Sequence, residues 1–204
     1  MKNDWPGTKE NINAVIVVAH PDDETIWSGG TILTYPNWNW TVISLTWNLT
    51  DDPRGIQFKK AMELYKTLGV NIVNFSCLGK NDRDLVEEDQ IGWKNGLMDL
   101  KLQHDIVLTH NLEGEYGHQH HKIVNKLVNE CFENVWEFIC PGAVNVAPQP
   151  FKSKNVVIPL NTDTLIKKTD IFNRCYTSEL AIWKVMPEPM QYEFRTGPEI
   201  FTSL

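Results

Sequence analysis

The stretch that most constrains the fold is Ile12–Ala19, INAVIVVA. It is short for a helix, rich in β-branched residues and free of polar alternation. That pattern is a strand buried on both faces, the kind that fills the middle of a parallel sheet. The run ends abruptly in His20-Pro21-Asp22-Asp23-Glu24. One imidazole and three carboxylates at the end of a buried strand are costly unless partners or a metal compensate them.

Further elements follow in alternation. Trp40–Leu45, Val70–Phe75, Asp105–Thr109 and Val156–Leu160 read as strands. Glu24–Leu33, Arg54–Leu68, Glu88–Leu100, Gln119–Phe132 and Asp163–Leu180 read as helices. In Arg54–Leu68, the residues Phe58, Met62, Tyr65 and Leu68 recur at helical spacing, and Gly69 stands where a C-terminal glycine cap belongs. Strand-helix alternation predicts an α/β domain with a mostly parallel sheet. The whole chain, residues 1–204, is expected to be one domain with an irregular lead-in over 1–11. In such sheets ligands bind beyond the carboxyl ends of the strands.

Composition narrows the function. The chain has 204 residues, 42% of them hydrophobic, and a net charge of −7. The apolar content excludes a disordered acidic tail, and the acidic balance disfavours a partner such as nucleic acid. No apolar run approaches the roughly 20 residues of a membrane span. The four cysteines form no C-x-x-C pair. With no visible signal sequence, a cytoplasmic location is the expectation.

Five of the six histidines (His104, His110, His118, His120 and His121) fall between residues 104 and 121. His118 and His121 are three apart at a helix start and project from one face. His20, one of Asp22 and Asp23, and one of these histidines would leave a divalent cation with an open position, as in catalytic zinc sites. Each cluster alone has a plainer reading, since Asp22 or Asp23 can cap a helix and surface histidines are often solvated. Both clusters follow parallel strands, however, and so share one sheet edge.

At these residues the sequence resembles the PIG-L/LmbE-like zinc-dependent N-acetylglucosaminyl de-N-acetylases. Ala19–Glu24 matches the family's A-H-P-D-D-E without a change. Tyr116-Gly117-His118-Gln119-His120-His121 is similar to its Y-G-H-P-D-H. Gly29-Gly30-Thr31 and Leu68-Gly69-Val70 match two further segments. Lys167 or Lys168 with Ser178-Glu179 echoes a terminal K…S-Q. The resemblance implies a three-layer Rossmann-like fold and zinc held by His20, Asp23 and His121. It implies Asp22 as general base for a zinc-bound water, and His118 as oxyanion stabiliser or as acid for the leaving amine. Tyr116 would be a second oxyanion donor. The implied reaction removes an acetyl or other acyl group from an N-acetylglucosamine-like amino sugar. Fe²⁺ suits the same donors.

The sequence also departs from the family. Gln119 and His120 stand for Pro and Asp, and His120 is expected to face solvent, with a place behind the metal ligands as the alternative. Arg54-Gly55-Ile56-Gln57 has Gln for the Glu of R-x-x-E, and Glu179 replaces a Gln. Arg54, His110, Asp82, Asp84 and Trp47 follow strands and are candidate substrate contacts. His104 precedes its strand and is expected at the far edge. Two other readings stay open: a non-catalytic sugar- or nucleotide-binding α/β module, and a metal-dependent hydrolase of a different bond. The first lacks a G-x-G-x-x-G after its leading strand. Homo-oligomerisation is left open.

Overall fold

The computed structural model describes residues 4–80, 87–100, 103–140, 154–184, 191, 194–195 and 197–203. Its elements alternate as β1 (Asn13–Val18), α1 (Asp23–Thr34), β2 (Asn39–Thr46), α2 (Pro53–Thr67), β3 (Ile72–Lys80) and α3 (Glu87–Asp99). Then come β4 (Ile106–Thr109), α4 (Gly114–Gly117), α5 (Gln119–Cys131) and β5 (Val135–Ile139). The last are β6 (Lys154–Ile158), α6 (Thr162–Cys175), α7 (Leu180–Trp183) and β7 (Glu199–Ser203).

The strands form one sheet in the order β3-β2-β1-β4-β5-β7-β6. β1 pairs in parallel with β2 and β4, while β7 runs antiparallel to both β5 and β6. The apolar run therefore lies inside the sheet. Its side chains alternate between two cores, as the pleat requires. Ala14, Ile16 and Val18 join one core with Phe58, Met62, Tyr65, Ile171 and Phe172 of α2 and α6. Val15, Val17 and Ala19 join the other with Trp93, Leu97, Val124 and Leu127 of α3 and α5. Helices on both faces make three layers.

Two local features follow the sequence closely. Gly69 adopts φ 88° after α2. The Gly69 and Val70 amides return to Lys66 and Tyr65, which is a Schellman closure. Gly30 of α1 faces Leu160, whose Cδ1 would lie 2.3 Å from a Cβ there. The Gly29-Gly30-Thr31 motif thus has a packing role, and its Gly30 and Thr31 amides donate to buried Glu199 of β7 at 2.8 and 2.6 Å.

Elsewhere the elements differ from expectation. β5 (VWEFI) and β7 (EIFTS) go beyond the strands that the sequence announces: each is a five-residue run that carries a glutamate. The single helix expected over Asp163–Leu180 ends at Cys175, and α7 begins at Leu180. Among the described residues no helix is long and apolar enough to cross a membrane.

Candidate active site at the carboxyl edge of the sheet

β1 and β4 are neighbours, so the segments leaving their carboxyl ends meet. Asp22 occupies the N-cap position of α1, but its side chain makes no capping bond. Its φ of 131° is a left-handed conformation that a non-glycine residue rarely adopts. Buried Glu24 accepts the Asp22 amide at 3.1 Å and so helps fix this bend. The Asp22 carboxylate turns instead to Arg54, 3.0 Å away. Burial raises the Asp22 carboxyl well above the ordinary range, against the pull of Arg54.

Donor atoms of two overlapping groups come within 4.8 Å of one another: His20, His118 and His121, and Asp23, His110 and His121. The hydrogen bonds around each ring sort them. His110 Nε2 accepts the Ala19 amide at 3.0 Å, and its Nδ1 lies 3.0 Å from Glu115. Burial lowers the His110 imidazolium, and Glu115 and Asp23 outweigh it to bring the ring to about 9. The amide aimed at Nε2 nevertheless requires a lone pair there, so the ring is neutral, with its proton on Nδ1. Neither nitrogen is left for a cation. His110 is also wholly buried, which removes it from the candidate substrate contacts.

His118 caps α5, its Nδ1 accepting the His120 amide at 3.2 Å. A neutral ring with Nδ1 accepting carries its proton on Nε2, which makes His118 a donor rather than a ligand. Burial, with His121 and His20 nearby, pulls its imidazolium down to about 3. His121 is the reverse case. Its Nδ1 lies 2.5 Å from Glu115 Oε2, which places the proton on Nδ1 and a lone pair on Nε2.

That His121 Nε2 is buried and makes no hydrogen bond. It points to within 3.4 Å of Asp23 Oδ2, and His20 Nδ1 lies 3.1 Å from the same oxygen. With the proton on Nδ1, two lone pairs face each other, and a cation or a second ring proton would satisfy them: burial and His110 lower the His121 imidazolium, and Asp23 and Glu115 outweigh them. The donors left after this sorting are His20, Asp23 and His121. Two imidazoles and a carboxylate fit a divalent metal. Burial raises the Asp23 carboxyl, but the neighbouring His121 outweighs it and holds it well below its usual value.

Glu115 had no assigned role in the sequence. It is fully buried and orients both His110 and His121 while accepting the Asn111 amide at 2.9 Å. The signal was a carboxylate between Gly114 and Gly117 after β4, where Gly114, Glu115 and Gly117 all have positive φ. His120 corrects a second expectation. It is 8% exposed rather than solvent-facing, and its Nδ1 lies 2.9 Å from His20 Nε2. The extended residue His118 turns the first turn of α5 so that His120 points inward, beside Trp93.

The outer contacts are mixed. Arg54 Nε lies 3.2 Å from Glu179, and its Nη2 donates to the Pro21 carbonyl at 3.1 Å. The guanidinium sits over Trp47, 5.7 Å from the ring centre. Arg54 is thereby committed to protein partners rather than held out for a sugar. Ser178 Oγ donates to Gln57 at 3.0 Å and to Glu179 at 2.8 Å. The two departures from the family pattern therefore adjoin. A carboxylate absent from α2 is supplied by the turn before α7. Tyr116 packs edge-on to His118 and His121, 5.8 and 5.5 Å between ring centres. Lys168 is buried on Glu199 at 2.7 Å, whereas Lys167 pairs with Asp163 on the surface. His104 packs against Phe132. Asp82 and Asp84 lie outside the described residues.

Fold and site together define a His/Asp centre at the switch edge of a doubly wound α/β sheet. Residues 15–132 match the family PIG-L, GlcNAc-PI de-N-acetylase, and the chain belongs to that family. A curated relative is the uncharacterized protein L374 of Acanthamoeba polyphaga mimivirus. It is 29% identical over 134 residues, which are 59% of this chain and 58% of that protein. The chain thus spans little more than half the length of this relative. A deacetylase triple mutant of the teicoplanin biosynthetic pathway superposes with a TM-score of 0.69 at 11% identity, over 93% of this chain and 97% of that one. GalB, the 4-carboxy-2-hydroxymuconate hydratase of Pseudomonas putida KT2440, gives 0.50 at 16% identity, over 90% and 83%. At these identities the likeness is one of fold, and the fold hosts more than one reaction.

Proposed function

We propose that this chain is a zinc-dependent de-N-acetylase that hydrolyses the amide of an N-acetylglucosamine-like amino sugar. The observation that carries the reading is the unbonded, buried Nε2 of His121 facing Asp23 Oδ2. His20, Asp23 and His121 would hold the metal. When bound, the metal supplies Lewis acidity for the amide carbonyl and for an attacking water.

The chain's own residues supply the rest. Asp22 takes a proton from the attacking water, and its buried, raised carboxyl suits a group that must hold that proton. The His118 Nε2–H donates to the oxygen that gains negative charge as the carbonyl carbon becomes tetrahedral. The Tyr116 hydroxyl stays protonated, because burial and Asp23 raise it, and it is a second donor. Collapse breaks the C–N bond, and Asp22 returns its proton to the amine, releasing acetate. With Nδ1 capping α5, His118 serves as a hydrogen-bond donor and not as the proton carrier. PIG-L membership supports the amide as the bond cleaved. We place the reaction in the cytoplasm, on a small-molecule substrate.

The test is metal content together with acetate release from a panel of N-acetylated amino sugars. About one zinc per chain and chelator-sensitive acetate release are expected, and Asp22→Asn should lose activity while keeping metal. A metal-free purified protein, or full activity in Asp22→Asn, refutes the reading.

A further inference from the structure

Among the neighbours of the proposed metal centre that the reaction above does not use is His120. We propose that His120 is a positioning residue that fixes His20 in its ligating form by accepting the His20 Nε2 proton. The inference rests on the metal site argued above, and it concerns what holds one of the three ligands in place.

A histidine that gives one nitrogen to a metal must carry its proton on the other. That proton needs an acceptor, commonly a carboxylate or a carbonyl. For His121 the acceptor is Glu115, and His20 has a different arrangement. Its Nδ1 lies 3.1 Å from Asp23 Oδ2, on the side of the proposed metal. Its Nε2 lies 2.9 Å from Nδ1 of His120. Ligation through Nδ1 therefore requires an Nε2–H donated to His120, and His120 must present a lone pair at Nδ1.

The surroundings favour this service. The His120 ring is buried and packed edge-on to Trp93, 6.3 Å between ring centres. Its own main-chain amide is spent on His118 Nδ1. One residue thus sets two neighbours: its backbone fixes the His118 donor, and its side chain fixes the His20 ligand. The acceptor is a neutral imidazole, not a carboxylate. A metal held there would receive less negative charge through His20 than through His121.

The test is metal affinity of the purified chain, read by chelator competition with Zn²⁺ and by the visible absorption of Co²⁺. His120→Phe keeps the ring against Trp93 and removes the acceptor. His120→Asn places a side-chain oxygen close to where Nδ1 stands. Phe should weaken metal binding by about 10- to 100-fold and alter the Co²⁺ spectrum, while Asn should stay within about threefold of wild type. A purely structural role would move both variants together in metal-free melting temperature and would not separate them in affinity. Wild-type affinity in His120→Phe, or equal losses in Phe and Asn, overturns the proposal. A wild-type chain that binds neither metal overturns this proposal and the proposed function together, a pattern distinct from the first two.

Discussion

Replacing Glu115 with Gln puts the wiring of the site under direct strain. Glu115 Oε1 accepts the Asn111 amide at 2.9 Å, while Oε2 accepts from Nδ1 of both His110 and His121 at 3.0 and 2.5 Å. All three partners donate, and a carboxylate is acceptor-only. A glutamine offers one oxygen and one NH₂. With its oxygen toward the histidines, the NH₂ confronts the Asn111 N–H. With its oxygen toward Asn111, the NH₂ faces both rings and drives their protons to Nε2. His110 would then oppose the Ala19 amide, and His121 would lose the lone pair that faces Asp23. Each orientation leaves a buried mismatch of about 1–3 kcal/mol. The expected result is that much loss of stability in urea unfolding of the metal-free chain. Metal affinity should fall by about 10- to 100-fold in chelator competition. A variant within about 0.5 kcal/mol of wild type that also binds metal normally would refute the tautomer assignments.

Three other perturbations read different parts of the molecule. Lys168→Met takes the ion-pair partner from Glu199, which is 5% exposed, and leaves its charge with the neutral Gly30 and Thr31 donors; it should cost about 3–5 kcal/mol by denaturant titration. Gly55→Ala would set a Cβ 1.6 Å from the main-chain oxygen of Asn48, an atom that cannot rotate away. It should cost at least about 1–3 kcal/mol in melting experiments and displace Arg54. Glu179→Gln should lower kcat/KM about tenfold, or about 1.4 kcal/mol, by loosening the guanidinium that holds Asp22. Adding Gln57→Glu, three residues from Arg54 on the same helix face, should recover most of that loss. Failure of the double variant to recover would argue against a shifted carboxylate.

The legible parts of the molecule were those with strong local signals. The INAVIVVA run could be little other than a central strand, and its two-sided burial follows from β-branching without alternation. The Gly69 cap was legible because a positive φ has one common residue. What escaped were relationships decided by tertiary packing. His110 and His121 are both imidazoles near strand β4, and only the partner on each nitrogen separates a buried strut from a ligand. Glu115 acts on His121 six residues away across a left-handed turn, a geometry with no periodic signature. His120 looked solvent-facing because adjacent helical residues diverge. The cap at His118 and the approach of His20 bring it inside.

The reversed strand has a consequence for the order in which the molecule can be assembled. Among the described residues, β6 is bonded only to the strand β7, which connects it to β5. During synthesis, therefore, the outer edge of β5 and the whole of β6 wait for residues 199–203. By contrast, His20, Asp23, Glu115, His118 and His121 have all emerged by residue 121. A nascent chain would hold the full set of proposed metal donors well before Glu199 arrives to brace the Gly30 and Thr31 amides of the helix that begins at Asp23.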